Sequence, residues 1–224
     1  MRLAICIPTY DRHIAFLERV LDSIEAQTRL PDVVAISASS MTNELILKPR
    51  PFPICLITTE EKQSGGGNRN RAAELIIKEQ EADILVFFDS DDEMVPEYCE
   101  FVERAFNETG ADFVLHSFLE LKVRPEKSPT VECVYSVIEE PFLIDWRLYA
   151  GLYLKPSLPQ VPLHHGHLSV KTSIFTKEIY RLDMDIPGRT YQWEDTEYNR
   201  RILNMGYKGV FIPAFLTLYH TYPK

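Results

Sequence analysis

Short apolar runs, each stopped by a proline or a polar turn and each followed by an amphipathic stretch, set the rhythm of the first half of this chain. Residues 3–7 (LAICI) are apolar throughout and end at Pro8. Asp11 then offers an N-cap to a segment that carries Ile14, Leu17, Val20, Leu21 and Ile24 on one helical face. Pro31 precedes a second apolar run at 33–36, and a third at 54–57 follows the turn bounded by Pro49 and Pro53. Gly65, Gly66 and Gly67 read as a flexible loop that opens a helix over about 70–80. Residues 84–88 (ILVFF) are apolar at every position, the signature of a central strand covered on both faces. Pro96 suits the first turn of a helix with Tyr98, Phe101, Val102, Ala105 and Phe106 on one face; Gly110 fits its exit, and 113–115 reads as a strand.

Strands alternating with helices predict an α/β fold with a mostly parallel central sheet flanked by helices. Residues 120–165 hold Pro125, Pro129, Pro141, Pro156, Pro159 and Pro162, which predicts an irregular region of loops and edge strands around a binding face. Order returns with a helix over 195–205, closed by Gly206, and a strand region over 209–219. The 224 residues, 45% of them apolar, suffice for one domain. Lys and Arg total 24 against 33 Asp and Glu, so no basic surface stands ready for nucleic acid. No apolar run approaches the ~20 residues of a membrane span, and the run before Pro8 is too short for a secretion signal, so a cytoplasmic protein is expected. Cys6, Cys55, Cys99 and Cys133 are widely spaced, without a C-x-x-C pair, and read as reduced thiols.

The chemistry concentrates after residue 88. In an open α/β sheet ligands bind beyond the carboxyl ends of the strands, where Asp89, Ser90, Asp91, Asp92 and Glu93 would project. Their mutual repulsion is relieved by a cation, and Mg²⁺ or Mn²⁺ fits, because carboxylates and a nucleotide's phosphates together complete an octahedron. An Asp-rich turn also caps helices, and both readings stand on this motif alone.

Four segments taken in order widen the picture: 7–12 (IPTYDR), 68–70 (NRN), 89–92 (DSDD) and 193–195 (WED). Together they resemble the inverting family 2 glycosyltransferases of GT-A fold, over nearly the whole chain. The resemblance implies one domain over 1–224, with a nucleotide-sugar-binding half over about 1–118 and an acceptor-binding half over about 119–224. It implies that Pro8, Thr9, Tyr10 and Asp11 form the nucleotide loop, with Ser37, Arg69, Asp89, Ser90 and Asp92 also on the donor side. Asp89 and Asp91, with His220, match metal ligands, Asp92 being the alternative to Asp91 as the direct ligand, and Asp195 matches the base that deprotonates the acceptor hydroxyl. Trp193 and Glu194 would face the acceptor. His165 and His167 are read as lining the acceptor pocket rather than as a separate zinc site, since no carboxylate or cysteine lies near them in sequence. Capping remains the alternative for Asp195.

The implied activity is metal-dependent, inverting transfer of a hexosyl or deoxyhexosyl unit from a nucleoside-diphosphate sugar to a hydroxyl of a glycan or other acceptor, with Mn²⁺ or Mg²⁺. UDP is the default carrier. In one place the chain departs from the pattern: family members often carry an Asp pair after the second strand, one of which reads the uracil ring, and here Ser37 and Ala38 stand there, which leaves guanosine and thymidine carriers open beside uridine. Two other functions compete. A nucleotidyltransferase would show a glycine-rich first loop, absent from 8–12; a catalytically silent binding module would have no need for both Asp91 and Asp195.

Overall fold

The computed structural model describes residues 1–79, 81–122, 142–143, 166–181 and 194–221. Its strands are β1 (Leu3–Tyr10), β2 (Val33–Ser39), β3 (Ile54–Thr58), β4 (Ile84–Phe87), β5 (Glu93–Met94), β6 (Phe113–Lys122), β7 (Phe142–Leu143), β8 (Ser169–Lys171) and β9 (Gly209–Thr221). The helices are α1 (Ile14–Glu25), α2 (Gly65–Glu79), α3 (Tyr98–Thr109), α4 (Thr172–Phe175) and α5 (Glu194–Asn204). The strands form one sheet in the order β3-β2-β1-β4-β8-β6-β9-β5, with β7 also paired to β9. β1 to β4, β6 and β9 share one direction, and β5, β7 and β8 oppose it, so the sheet is mostly parallel.

Period-2 alternation of apolar side chains divides the core into two layers. Leu3, Ile5 and Ile7 of β1, with Val34, Ile36, Ile84 and Val86, pack beside α1 and α3. Ala4, Cys6, Val33, Ala35, Leu85 and Phe87 point the other way, onto α2 and α5. On that second face small residues meet small ones: Ala4 and Ala35 oppose Ala72 and Ala73 of α2, all fully buried, which lets the helix approach the strands closely. Burial on both faces explains why β1 and β4 carry no polar alternation.

The structure departs from the sequence reading at three places. The glycine run is no loop: α2 starts at Gly65 itself. Asp11 is not the N-cap of α1; it opens a 3-10 turn over Asp11–His13, its Oδ1 accepting the Arg12 N–H at 2.8 Å. The strand expected at 113–115 continues to Lys122, because β9 pairs along its full length through register shifts at Ser117. Gly110 ends α3 as expected, in the left-handed region at φ 64°. Among the described residues no helix is long and apolar enough to cross a membrane.

Candidate active site

β1 and β4 are neighbouring parallel strands, so the turns leaving their carboxyl ends lie side by side. Between them and the start of α2 opens a cavity of about 880 Å³. One wall is the turn from Pro8 to His13, and the opposite side presents Gly65, Asn68 and Arg69 of α2. Asp89, Ser90 and Asp91 come from the turn after β4, Glu194 from the start of α5, and Tyr219 from β9. The lining is rich in charged and hydrogen-bonding groups, with Asp11, Asp89, Asp91 and Glu194 set against Arg12, Lys62 and Arg69.

Arg69 is the centre of charge. Its side chain is only 6% exposed, with Nη2 2.7 Å from Asp89 Oδ1 and Nη1 3.2 Å from Glu194 Oε1. The guanidinium also lies over the Tyr180 ring, 5.5 Å from its centroid. Burial alone would favour loss of its proton, but Asp89, Tyr180, Asp195 and Glu194 outweigh burial and hold it firmly charged. Glu194 feels the reverse balance: burial raises its pKa, and Arg69 only partly offsets this. The glycines make this arrangement possible. A Cβ on Gly65 would sit 2.5 Å from Glu194 Oε1, and one on Gly66 would meet Tyr180 Cβ at 3.2 Å.

Beneath the cavity, Asn68 spends its amide on the scaffold. Nδ2 donates to Thr9 O at 3.0 Å and to Ser39 Oγ at 2.9 Å, and Oδ1 accepts from Ser37 Oγ at 2.9 Å. Ser37 is therefore fully buried behind the floor and does not reach the cavity, contrary to its expected place beside the nucleotide. Next along α2, Asn70 exchanges two hydrogen bonds with the Tyr180 backbone, at 2.8 and 3.0 Å, fixing the helix against the segment before α5.

The acidic turn splits by depth. Asp89 and Asp91 face the cavity, whereas Asp92 is buried, its Oδ1 accepting the His220 N–H at 3.0 Å. Burial first, and then the charges of Asp89 and Asp92, push the Asp91 carboxyl up to about 7. A carboxylate so loaded is one that a cation would stabilise. On the cavity side His13 brings Nδ1 to 3.6 Å from Asp91 Oδ2, while its Nε2 shares a 2.8 Å hydrogen bond with the Tyr10 hydroxyl. Burial lowers the His13 pKa, against the pull of Asp89, Asp92 and Asp11.

His167 corrects an expectation. It is fully buried below the acidic turn, stacked on Phe88 at 4.0 Å, with Nδ1 3.0 Å from Thr217 Oγ1 and no share in the cavity lining. Its Nε2 stands 3.2 Å from Asp92 Oδ2, and Asp89, Asp92 and His167 place one ligand atom each within 4.8 Å of one another. Carboxylate oxygens with one imidazole suit a divalent ion. Of the three, only Asp89 also lines the cavity.

The remaining expected residues are scattered around this centre. Pro8, Thr9, Tyr10 and Asp11 line the cavity. Asp195 lies in the first turn of α5, its Oδ1 accepting the Thr196 N–H at 2.6 Å, and Glu194 rather than Asp195 reaches the cavity. His220 Nε2 is 2.6 Å from Glu93 Oε1. Trp193 and His165 lie outside the described residues. Sequence reasoning did not find His13 or the Arg69–Glu194 pair, and it gave Asn68, within the 68–70 segment, no role of its own. His13 had one available signal, its place in the same short turn as Tyr10 and Asp11.

Crystal structures of S. aureus TarS 1-349 superpose on this fold. The first shares 15% identity at a TM-score of 0.66, covering 99% of this chain and 60% of that one. A second, in complex with UDP-GlcNAc, gives 14% and 0.67, covering 100% and 60%; a third, in complex with UDP, gives 14% and 0.63. The chain thus spans about three fifths of the length of those TarS chains, and at such identity the likeness shows the fold, which is GT-A. No curated protein sequence matches the chain. The family model described as Glycosyl transferase family 2 matches residues 4–153, which run from β1 beyond β7 and carry the cavity's β1, α2 and β4 walls. With about two thirds of its length inside that match, the chain belongs to glycosyl transferase family 2.

Proposed function

We propose that this protein is a metal-dependent, inverting glycosyltransferase that moves a hexosyl or deoxyhexosyl unit from a nucleoside-diphosphate sugar to a hydroxyl of a glycan or other acceptor. The observation that carries this is the cavity in which Arg69, Asp89 and Asp91 converge at the carboxyl ends of β1 and β4. UDP is the favoured carrier, a choice supported by the TarS complexes with UDP-GlcNAc and UDP. Residues 1–118 supply most of the donor side and 119–224 the acceptor side, with Glu194 and Tyr219 reaching across.

In this reading the Pro8–Asp11 wall and Ser90 position the nucleoside, and Arg69 gives the diphosphate a charged, desolvated donor. Mn²⁺ or Mg²⁺ held by Asp89 and Asp91, with His220 as a third candidate ligand, would supply positive charge against that developing on the diphosphate. Asp195 takes the acceptor's proton as the acceptor oxygen bonds to the anomeric carbon and the bond to the phosphate oxygen breaks. A single displacement inverts that carbon, and the nucleoside diphosphate leaves.

Thermal melts with UDP, UDP-sugars, GDP and TDP, with and without Mn²⁺, test the donor side. A ligand at a hundred times its Kd adds about 2.7 kcal/mol, a rise of roughly 5–10 °C for a chain of this size. The expected result is a rise with a uridine diphosphate that depends on Mn²⁺; no nucleotide-dependent shift would refute the donor site. For the base, Asp195→Asn is expected to keep that shift while transfer falls by roughly 10²–10⁴. Full transfer in the variant would reassign the role.

A further inference from the structure

We propose that His13 is a nitrogen ligand of the divalent cation held at Asp91, and that this imidazole makes the site prefer Mn²⁺ over Mg²⁺. The inference rests on the reading of the cavity as a metal–nucleoside diphosphate site. Neither the acidic motif nor the family resemblance assigns His13 any part in it.

The geometry starts from the sheet. β1 and β4 pair in parallel, so the 3-10 turn that follows β1 faces the acidic turn that follows β4. His13 and Asp91 line the same cavity from these two turns. Their facing atoms, Nδ1 and Oδ2, are 3.6 Å apart. That is too long for a hydrogen bond. It falls between the spacings of ligand atoms on a six-coordinate centre with bonds of about 2.1 Å, roughly 3.0 Å when adjacent and roughly 4.2 Å when opposite, so a shift of about 0.6 Å would set both atoms on one ion as adjacent ligands.

The far side of the ring completes the case. Nε2 lies 2.8 Å from the Tyr10 hydroxyl, and the two rings pack with centroids 4.2 Å apart. Phe16 meets the imidazole edge-on from α1 at 5.8 Å. In the tautomer that carries its proton on Nε2, that N–H donates to the Tyr10 oxygen and the Nδ1 lone pair is presented to Asp91, the outer-partner arrangement that orients metal-bound histidines. A neutral nitrogen ligand adds affinity for Mn²⁺ more than for Mg²⁺, which favours oxygen. His167 approaches the same turn from its buried side, with Nε2 3.2 Å from Asp92 Oδ2, and lines no part of the cavity.

Pulsed electron paramagnetic resonance of the whole protein with Mn²⁺ and UDP reads this directly. Wild type is expected to show ³¹P coupling from the diphosphate and ¹⁴N modulation from a directly bound imidazole. His13→Phe, which keeps an aromatic ring against Tyr10, is expected to keep the ³¹P coupling and lose the ¹⁴N modulation. Its Mn²⁺ affinity should weaken roughly tenfold or more, with a smaller change for Mg²⁺. His13→Asn serves as the second variant and should give the same loss should the Phe variant fold poorly. A ¹⁴N signal that survives both substitutions, or one absent from wild type while ³¹P coupling is present, overturns the proposal and leaves the donor site standing. Absence of ³¹P coupling in wild type overturns the donor reading and this inference with it.

Discussion

A buried cation between two carboxylates has a defined consequence when it is removed. Arg69 is 6% exposed and joins Asp89 to Glu194, which are 27% and 13% exposed. Without its guanidinium, two partly buried negative charges face each other, and Asp195 adds to their field. Breaking a buried pair costs about 3–5 kcal/mol, and the residual exposure of Asp89 puts the loss near the lower end. Arg69→Met is therefore expected to lose about 3 kcal/mol in urea denaturation. Arg69→Lys should recover only part of this, because one ammonium cannot span two carboxylates as the planar fork does. Wild-type stability in the Met variant would show that solvent already screens the pair. In the sequence Arg69 was legible as a cation near the donor, but its partner Glu194 was not: the two stand 125 positions apart, and only the docking of α5 on α2 unites them.

At the scale of elements, what could be read from the sequence was whatever local periodicity determines. β1, β4 and α1 follow from unbroken or 3.6-spaced apolar positions, and Gly110 closes α3 as its place predicts. The start of α2 was misread because glycine propensity argues for a loop, whereas tertiary contact argues for helix: Glu194 and Tyr180 approach too closely for side chains at Gly65 and Gly66. His167 was misplaced for the same kind of reason, since its partner Asp89 is 78 positions earlier and only insertion of β8 between β4 and β6 brings them together. The glycine argument makes a prediction of its own. In Gly65→Ala the new methyl would meet Glu194 Oε1 at 2.5 Å, but a carboxylate end can swing aside. Alanine also gains up to ~1 kcal/mol of helix propensity. Stability should thus stay within about 1 kcal/mol of wild type, while displacement of Glu194 loosens Arg69 and weakens UDP binding, read by calorimetry. Undiminished UDP affinity would mean that the close approach serves packing alone.

For the whole molecule, these local charges predict an unusual dependence on pH. Asp32 and Asp112 have lowered pKa values: burial opposes this, but hydrogen bonds from the Leu3 amide and Arg29 in one case, and from Lys171 and the Lys208 amide in the other, prevail. Their contribution is present above the unfolded carboxylate value and is lost as pH falls through their folded values. Asp91 acts in the opposite direction. Its pKa rises from 3.8 to about 7 through burial and the neighbouring Asp89 and Asp92, so across that range the metal-free native state holds a proton that the unfolded chain has released. Stability from this group is full below the unfolded value and drains away as pH climbs towards 7. Glu194, raised by burial, adds a change of the same sign. A cation at Asp91 must displace that proton, so its effect should grow over the same window. Metal-free melts are therefore expected to peak in mildly acidic buffer and decline towards pH 7.5. The increment from Mn²⁺ with UDP should be small at pH 5.5 and largest near pH 8. A metal-free melting point that climbs steadily from pH 5 to 7.5, with a Mn²⁺ increment that does not vary, would show that Asp91 is ionised throughout and that the acidic turn is relieved by the protein's own cations.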